Sequence, residues 1–171
     1  YTVWVDDMFM GIPFLIQAGL YSDSPELRKI FFDDAANQII DFTKHVWNKD
    51  TRLYMHANYT SRPDVKLPHW ARANGWAMSD VLMALPKNHP KYKAILKQYQ
   101  TFVYSLIKYQ SPDGFWHNVI DRSDSPKEVS GTAIFTMGII RGIRYGWLDK
   151  KKFMPIALKG WDAVSSEIED D

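Results

Sequence analysis

Apolar positions along the chain fall into two kinds of stretch that alternate. Trp4 to Leu20 is apolar on nearly every side, with Gly19 near its end and the turn cluster Ser22-Asp23-Ser24-Pro25 after it, and predicts a buried helix. From Glu26 to Trp47, by contrast, Leu27, Phe31, Ala35, Ile39, Phe42 and Val46 recur every three or four residues, with Arg28, Lys29, Asp33, Asp34 and Lys44 opposite. That spacing predicts a one-sided outer helix. The succession then repeats. Arg72 to Leu85 is apolar almost all round, and Pro90 to Tyr109 carries Tyr92, Ile95, Leu96, Tyr99, Phe102, Val103, Leu106 and Ile107 at helical spacing. Gly131 to Trp147 is apolar again, and Phe153 to Ile168 places Phe153, Ala157, Trp161, Val164 and Ile168 on one side.

Two connections interrupt this order. Asn48 to Pro68 is long, with turn signals at Asn48-Lys49-Asp50 and Arg62-Pro63-Asp64 around Leu53-Tyr54-Met55-His56. The other, Ser111 to Asn118, again sets an acidic turn before aromatics and a histidine. Aligning His56 with His117, and Asn74-Gly75 with Ser130-Gly131, gives two hairpins with a common layout of loop, buried helix and exposed helix. The opening helix pair fits as an earlier copy. Such repeats cannot bury their inner faces alone, but arranged in a circle they form a double ring of helices. Six helices make about half of a twelve-helix toroid, so residues 1–171 are expected to form one partial (α/α) toroid domain of about three hairpins. The chain opens without Met, in what looks like the middle of an element, and reads as an excised or truncated piece.

Composition narrows the function classes. Hydrophobic residues are 46% of the chain, enough for a real core, and 21 basic residues balance 20 acidic ones without a basic face, so no nucleic-acid partner is expected. No cysteine is present, which removes thiol catalysis, disulfides and Cys-ligated metals but leaves the compartment open. No apolar run approaches the roughly 18 residues of a membrane span, and no membrane partner is expected.

The most concentrated chemistry lies at the entry to the Leu67–Leu85 stretch, where His69, Arg72, Asn74 and Trp76 gather. A helix start offers free N–H groups and a positive dipole end, so these residues make a receptor for an anionic, hydroxyl-rich ligand. Arg72 suits a carboxylate, although a structural salt bridge to Asp64 or Asp80 is an equal alternative. Trp70, Trp76 and Trp116 offer faces to sugar rings or pack the core. Of Asp6 and Asp7, only one can face a shared cavity. Both serve as first-turn acids, or one is a buried carboxylic acid whose raised pKa suits proton donation. His56 and His117 lack companion ligands at metal-binding spacing and fit better as hydrogen-bonding groups toward a sugar, or as loop histidines with no ligand role. Ser130 reads as a helix cap. No G-x-S-x-G elbow or phosphate loop occurs.

Taken together, W-V-D-D-M-F-M at Trp4–Met10, L-Y-M-H at Leu53–His56, W-A-R-A-N-G-W at Trp70–Trp76, and D-G-F-W-H followed by E-V-S-G-T-A resemble a known family. It is the unsaturated rhamnogalacturonyl hydrolases of glycoside hydrolase family 105, with the related unsaturated glucuronyl hydrolases of family 88. The resemblance implies an (α/α)6 barrel. It also implies hydration of a 4,5-unsaturated uronic acid at the non-reducing end of pectin-derived oligosaccharides. No cofactor and no metal are implied. Asp6 looks like the general acid that also activates water, and His56, Arg72 and Trp76 look like substrate contacts; Trp116 and His117 join them as candidate substrate-binding residues on their own chemistry. A second family aspartate would lie upstream of Trp4. The partners implied are a small oligosaccharide and either a missing N-terminal half-barrel or another copy of the chain. Two other readings stay open, a carbohydrate-binding or inactive fragment and a different toroid enzyme such as a glycosidase or polysaccharide lyase.

Overall fold

A computed structural model describes residues 1–62, 64–78, 82 and 85–168. The opening stretch is a strand and two helices, not one helix from Trp4: β1 (Thr2–Trp4), α1 (Asp7–Met10) and α2 (Ile12–Tyr21). Pro13 sits at the start of α2, and its missing N–H interrupts any helix entering from α1. The strand is drawn off by pairing. β1 lies antiparallel to β4 (Ala57–Tyr59) in the register Thr2–Tyr59, Val3–Asn58 and Trp4–Ala57.

The buried side of the first helices is narrower than the sequence suggests: Met8, Ile12, Ile16 and Gly19 face inward, while Phe14, Leu20 and Tyr21 are exposed. α3 (Pro25–Val46) begins where expected, with Pro25 in the first turn and the Ser24 hydroxyl accepting from Leu27 N at 3.3 Å. Its buried face is Phe32, Ala35, Ala36, Ile39 and Val46. Phe32 replaces Phe31 on that face because Gly19 leaves room for its ring; a Cβ at Gly19 would lie 2.6 Å from Phe32 Cε1.

The remaining helices are α4 (Ala71–Trp76), α5 (Tyr92–Leu106), α6 (Val129–Arg144) and α7 (Lys150–Ser165), and a 3₁₀ turn at Ile107–Tyr109 follows α5. The expected continuation of α4 through residues 79–81 and 83–84 lies outside the described residues. α2 packs on α3, α6 packs on α7, and α4 packs on α6. The chain thus alternates inner helices (α2, α4, α6) with outer ones (α3, α5, α7), the plan of an (α/α) toroid. Two expectations are corrected in the last hairpin. Trp161 and Ile168 are exposed, and the buried face of α7 is Phe153, Ala157, Gly160 and Ala163. Glu128, not Ser130, caps α6: its carboxylate accepts from Gly131 N, and the Ser130 hydroxyl donates to it at 2.6 Å.

The internal repeat has a physical counterpart. A Cβ at Gly75 would lie 2.9 Å from Ile134, and one at Gly131 would lie 3.0 Å from the Cβ of Ala71. The two aligned glycines therefore face each other's helices and let α4 and α6 approach closely. Each preceding loop is fastened to its inner helix in the same way. Tyr54 N donates to Asn74 Oδ1 at 2.8 Å, and Trp116 N donates to Thr132 Oγ1 at 3.0 Å. The loops carry short ladders, β2 (Trp47–Asn48) with β3 (Leu53–Tyr54) and β5 (Trp116–His117) with β6 (Lys127–Glu128). Among the described residues no helix is long and apolar enough to cross a membrane.

Candidate functional site

The β1–β4 ladder decides where Asp6 goes. Beyond Trp4–Ala57 the pairing continues with Val5 N donating to the carbonyl of His56 at 3.1 Å. Asp6 follows at the N-cap of α1, and its Oδ2 stands 3.6 Å from His56 Nε2. The Asp6 side chain is half-buried, it caps no backbone N–H, and Oδ2 is buried without a hydrogen-bond partner. A buried acceptor left without a bond costs about 1–3 kcal/mol, so such a group marks either strain or a place where something else binds. Asp7, the neighbouring acid, is exposed.

His56 N in turn donates to the carbonyl of Pro68 at 3.0 Å, which draws the Lys66–Trp70 segment alongside. The imidazole is flanked by two indoles, Trp4 edge-on at 4.8 Å between ring centroids and Trp70 tilted at 4.8 Å. Trp70 is fixed from behind, its Nε1 donating to Asn118 Oδ1 at 3.0 Å. Arg72 lies over the Trp70 ring, 4.5 Å from its centroid, a cation–π contact. Asp64 pairs with Arg62 at 3.5 Å instead of with Arg72, and Asp80 lies outside the described residues. Four residues further along α4, and so on the same face, Trp76 lies tilted against Phe9 at 4.5 Å between ring centroids. Asp6, His56, Trp70 and Arg72 thus form a chain of contacts, and the Phe9–Trp76 pair sits one helical turn along from it.

The other expected site residues are placed differently. Asn74 is fully buried, and its amide is spent on backbone: Oδ1 accepts from Tyr54 N, and Nδ2 donates to Tyr54 O at 2.7 Å and Trp70 O at 3.0 Å. It is a clamp between loop and helix and has nothing left for a ligand. Trp116 is also fully buried, with Nε1 donating to Leu106 O at 2.9 Å and Phe135 against its edge. A sealed indole offers no face to a sugar. His117 has both ring nitrogens occupied within its own loop, Nδ1 donating to Ser125 O at 2.5 Å and Nε2 accepting from Ser111 Oγ at 2.9 Å. His69 is turned away from the Arg72 side, into a cleft on the far side of its segment, where it lies 2.9 Å from Asp121 and 3.1 Å from Thr51. Trp4 is the neighbour that residue-by-residue reading passes over; its position two residues before Asp6 in W-V-D-D was the available signal.

Among the described residues no cluster of three or more His, Cys, Asp or Glu side chains is arranged to hold a metal ion. The free acceptor at Asp6, the imidazole beside it, and a guanidinium over an indole suit a hydroxyl-rich, anionic ligand. In general a carboxyl so placed can serve as proton source or base, and a guanidinium as counter-charge.

A profile of the family described as Glycosyl Hydrolase Family 88 matches residues 1–171. The chain is 26% identical over 176 aligned residues to an unsaturated 3S-rhamnoglycuronyl hydrolase of Alteromonas sp. (strain LOR), covering 98% of this chain and 42% of that protein. It is 29% identical over 134 residues to the unsaturated rhamnogalacturonyl hydrolase YesR of Bacillus subtilis (strain 168), covering 76% of this chain and 38% of the relative. Among solved structures, a possible member of the GH105 family from Salmonella enterica serovar Paratyphi A superposes with a TM-score of 0.87 at 25% identity, over 98% of this chain and 45% of that one. A family 105 glycoside hydrolase of C. acetobutylicum superposes with a TM-score of 0.86 at 26% identity, over 99% of this chain and 51% of that one. The chain spans less than half the length of the curated relatives it matches.

Proposed function

This chain belongs to glycosyl hydrolase family 88, and from that premise we propose that it carries the acid and the anion-binding wall of an unsaturated uronyl hydrolase acting on pectin-derived, rhamnogalacturonan-type oligosaccharides. The observation that carries the reading is the buried, unpartnered carboxylate oxygen of Asp6 beside His56. Asp6, protonated, delivers its proton to C4 of the 4,5-unsaturated uronate, and the double bond's electron pair forms the new C–H bond. Water adds at C5, where positive charge develops next to the ring oxygen, and gives up a proton to the Asp6 carboxylate. The hemiketal so formed opens and releases the neighbouring sugar. One water is consumed and the acid is regenerated. His56, wedged between Trp4 and Trp70, orients Asp6 and bonds a substrate hydroxyl. Arg72, held flat over Trp70, takes the uronate carboxylate, and Trp76 offers its ring to the sugar.

The test is loss of the conjugated enol absorbance on incubation with an unsaturated rhamnogalacturonan disaccharide. We expect Asp6→Asn to lower turnover by about 10²–10⁴-fold, the usual contribution of a positioned acid–base group, and Arg72→Ala to raise KM more than it lowers kcat. Normal turnover by Asp6→Asn overturns the assignment. Product mass supplies the second check: hydration adds one water to the cleaved fragments, and elimination adds none.

A further inference from the structure

A cleft of about 660 Å³ lies apart from the Asp6 site. It opens on the far side of the Lys66–Trp70 segment, between the β2–β3 turn and residues 119–125. Neighbouring side chains of an extended segment point opposite ways, so Trp70 flanks His56 while His69 forms the floor of this cleft. His69 is buried there in a three-member chain. Its Nδ1 donates to Asp121 Oδ2 at 2.9 Å, and its Nε2 meets the Thr51 hydroxyl at 3.1 Å. The chain ties three separate segments into one rigid floor and holds the Asp121 carboxylate at the cleft's edge.

Three polar groups on the lining are left over. Among the described residues Asn48 uses only its Oδ1, which accepts from Asp50 N and Thr51 N, and its amide N–H₂ has no partner there. Among the described residues Asp121 bonds only through Oδ2. Lys66 makes no ion pair among the described residues. Arg122, by contrast, is committed to a two-pronged pair with Asp124 at 2.8 and 2.7 Å, and that pair holds the Asp124 carboxyl down at about 2. Leu67, Pro68 and Val119 supply apolar wall between these groups. A cleft of this size takes a ligand of one or two sugar units, with a few convergent polar groups setting its orientation. An ammonium and an amide donor together fit a carboxylate, and a fixed carboxylate oxygen fits sugar hydroxyls.

We propose that this cleft is a second saccharide site, binding a saturated uronate-bearing unit through Lys66, Asn48 and Asp121. The choice of a uronate rests on the functional reading of the Asp6 site; the existence of the cleft does not. The unit belongs either to the same oligosaccharide or to a separate stretch of polymer.

Calorimetry with saturated digalacturonate reads binding without turnover, because this probe has no enol for Asp6 to protonate, and the variants separate the two sites. Binding is expected in the unaltered protein. We expect it to weaken about tenfold or more in Lys66→Ala and in Asp121→Asn, each of which removes a charged hydrogen-bonding partner, and to persist in Arg72→Ala. Circular dichroism of each variant confirms that the helical fold is kept, and Lys66, exposed and in no ion pair among the described residues, is the substitution least able to disturb it. The proposal is overturned if digalacturonate does not bind, or if binding responds to Arg72→Ala and not to Lys66→Ala. A lower KM for unsaturated tetrasaccharide than for disaccharide, abolished by Lys66→Ala, assigns the unit to the same oligosaccharide. Equal KM values with digalacturonate binding retained assign it to a separate one. Absence of any enol hydration, with the calorimetric pattern intact, removes the Asp6 reading and leaves the cleft.

Discussion

At the scale of single residues, Asn74 shows how position overrides residue type. An Asn at a helix entry is as fit for a ligand as for backbone, and the fold spends all of this one on Tyr54 and Trp70. Substitution by Ala strands a buried N–H and a buried carbonyl of Tyr54 together. The expected loss is about 2–4 kcal/mol, from one to three for each orphaned group with partial relaxation. Urea unfolding of Asn74→Ala measures it, and a loss below half a kilocalorie would show that the clamp is dispensable. The converse holds for Asp6. Its neighbours in sequence are Val5 and a second acid, Asp7, and what sets it apart from Asp7 is its place after the β1–β4 pairing, with one oxygen unpartnered.

At the scale of elements, two sites of contact join helices that the sequence presents separately. Gly75 and Gly131 let α4, which carries Arg72 and Trp76, close on α6. On the outer side, Asp33 of α3 receives Lys29 at 2.5 Å and His89 Nε2 at 2.9 Å, tying α3 to the approach of α5. Its carboxyl is held below the ordinary 3.8, first by the Lys29 hydrogen bond and then by that of His89. A carboxyl whose folded value is depressed contributes stability that is complete above the unfolded value and is lost as pH falls through the lower folded one. Asp33→Asn should therefore narrow the stability gap to the unaltered protein as pH drops from 5 toward 3, where the unaltered carboxylate itself takes up a proton. The group is well exposed, so the difference at neutral pH is small, on the order of a few tenths of a kcal/mol. Unfolding midpoints across that pH range check it, and a gap that widens on acidification contradicts the assignment.

At the scale of the whole molecule, apolar surface collects along two borders. One carries Phe14, Leu20, Tyr21, Leu27 and Ile30 on α2 and α3; the other carries Met137, Ile140 and Trp161 on α6 and α7. The second includes a groove of about 300 Å³ between Ala133, Met137, Ile140, Trp161 and Val164. In a toroid these are the faces that meet the next hairpins, and isolated exposed patches of this kind drive association. The 171-residue chain by itself is expected to self-associate with increasing concentration in sedimentation velocity, and Phe14→Ser with Trp161→Ser should shift it toward monomer. A concentration-independent monomer would show that these borders are not adhesive.

The order of inner and outer helices was legible from apolar spacing alone, because helix periodicity is a local property and a helix with one wet side must show it. The start of α3 was legible too, through Ser24 and Pro25, since capping acts within one turn. The motifs around Asp6, His56, Arg72 and Trp76 named the residues that the fold gathers near one another. What the chain by itself left open was how each polar group is spent. Asn74, His117 and Trp116 sit in the same kinds of motif as Arg72 and His56, yet the first two are consumed by hydrogen bonds and the third is sealed in the core. The departure of β1 from the opening helix was equally hidden, because its cause is a partner strand more than fifty residues away at Ala57–Tyr59. Local sequence sets propensity and periodicity; burial and hydrogen-bond partners are settled by contacts between distant segments, and only the tertiary structure decides which side chain is left free to act.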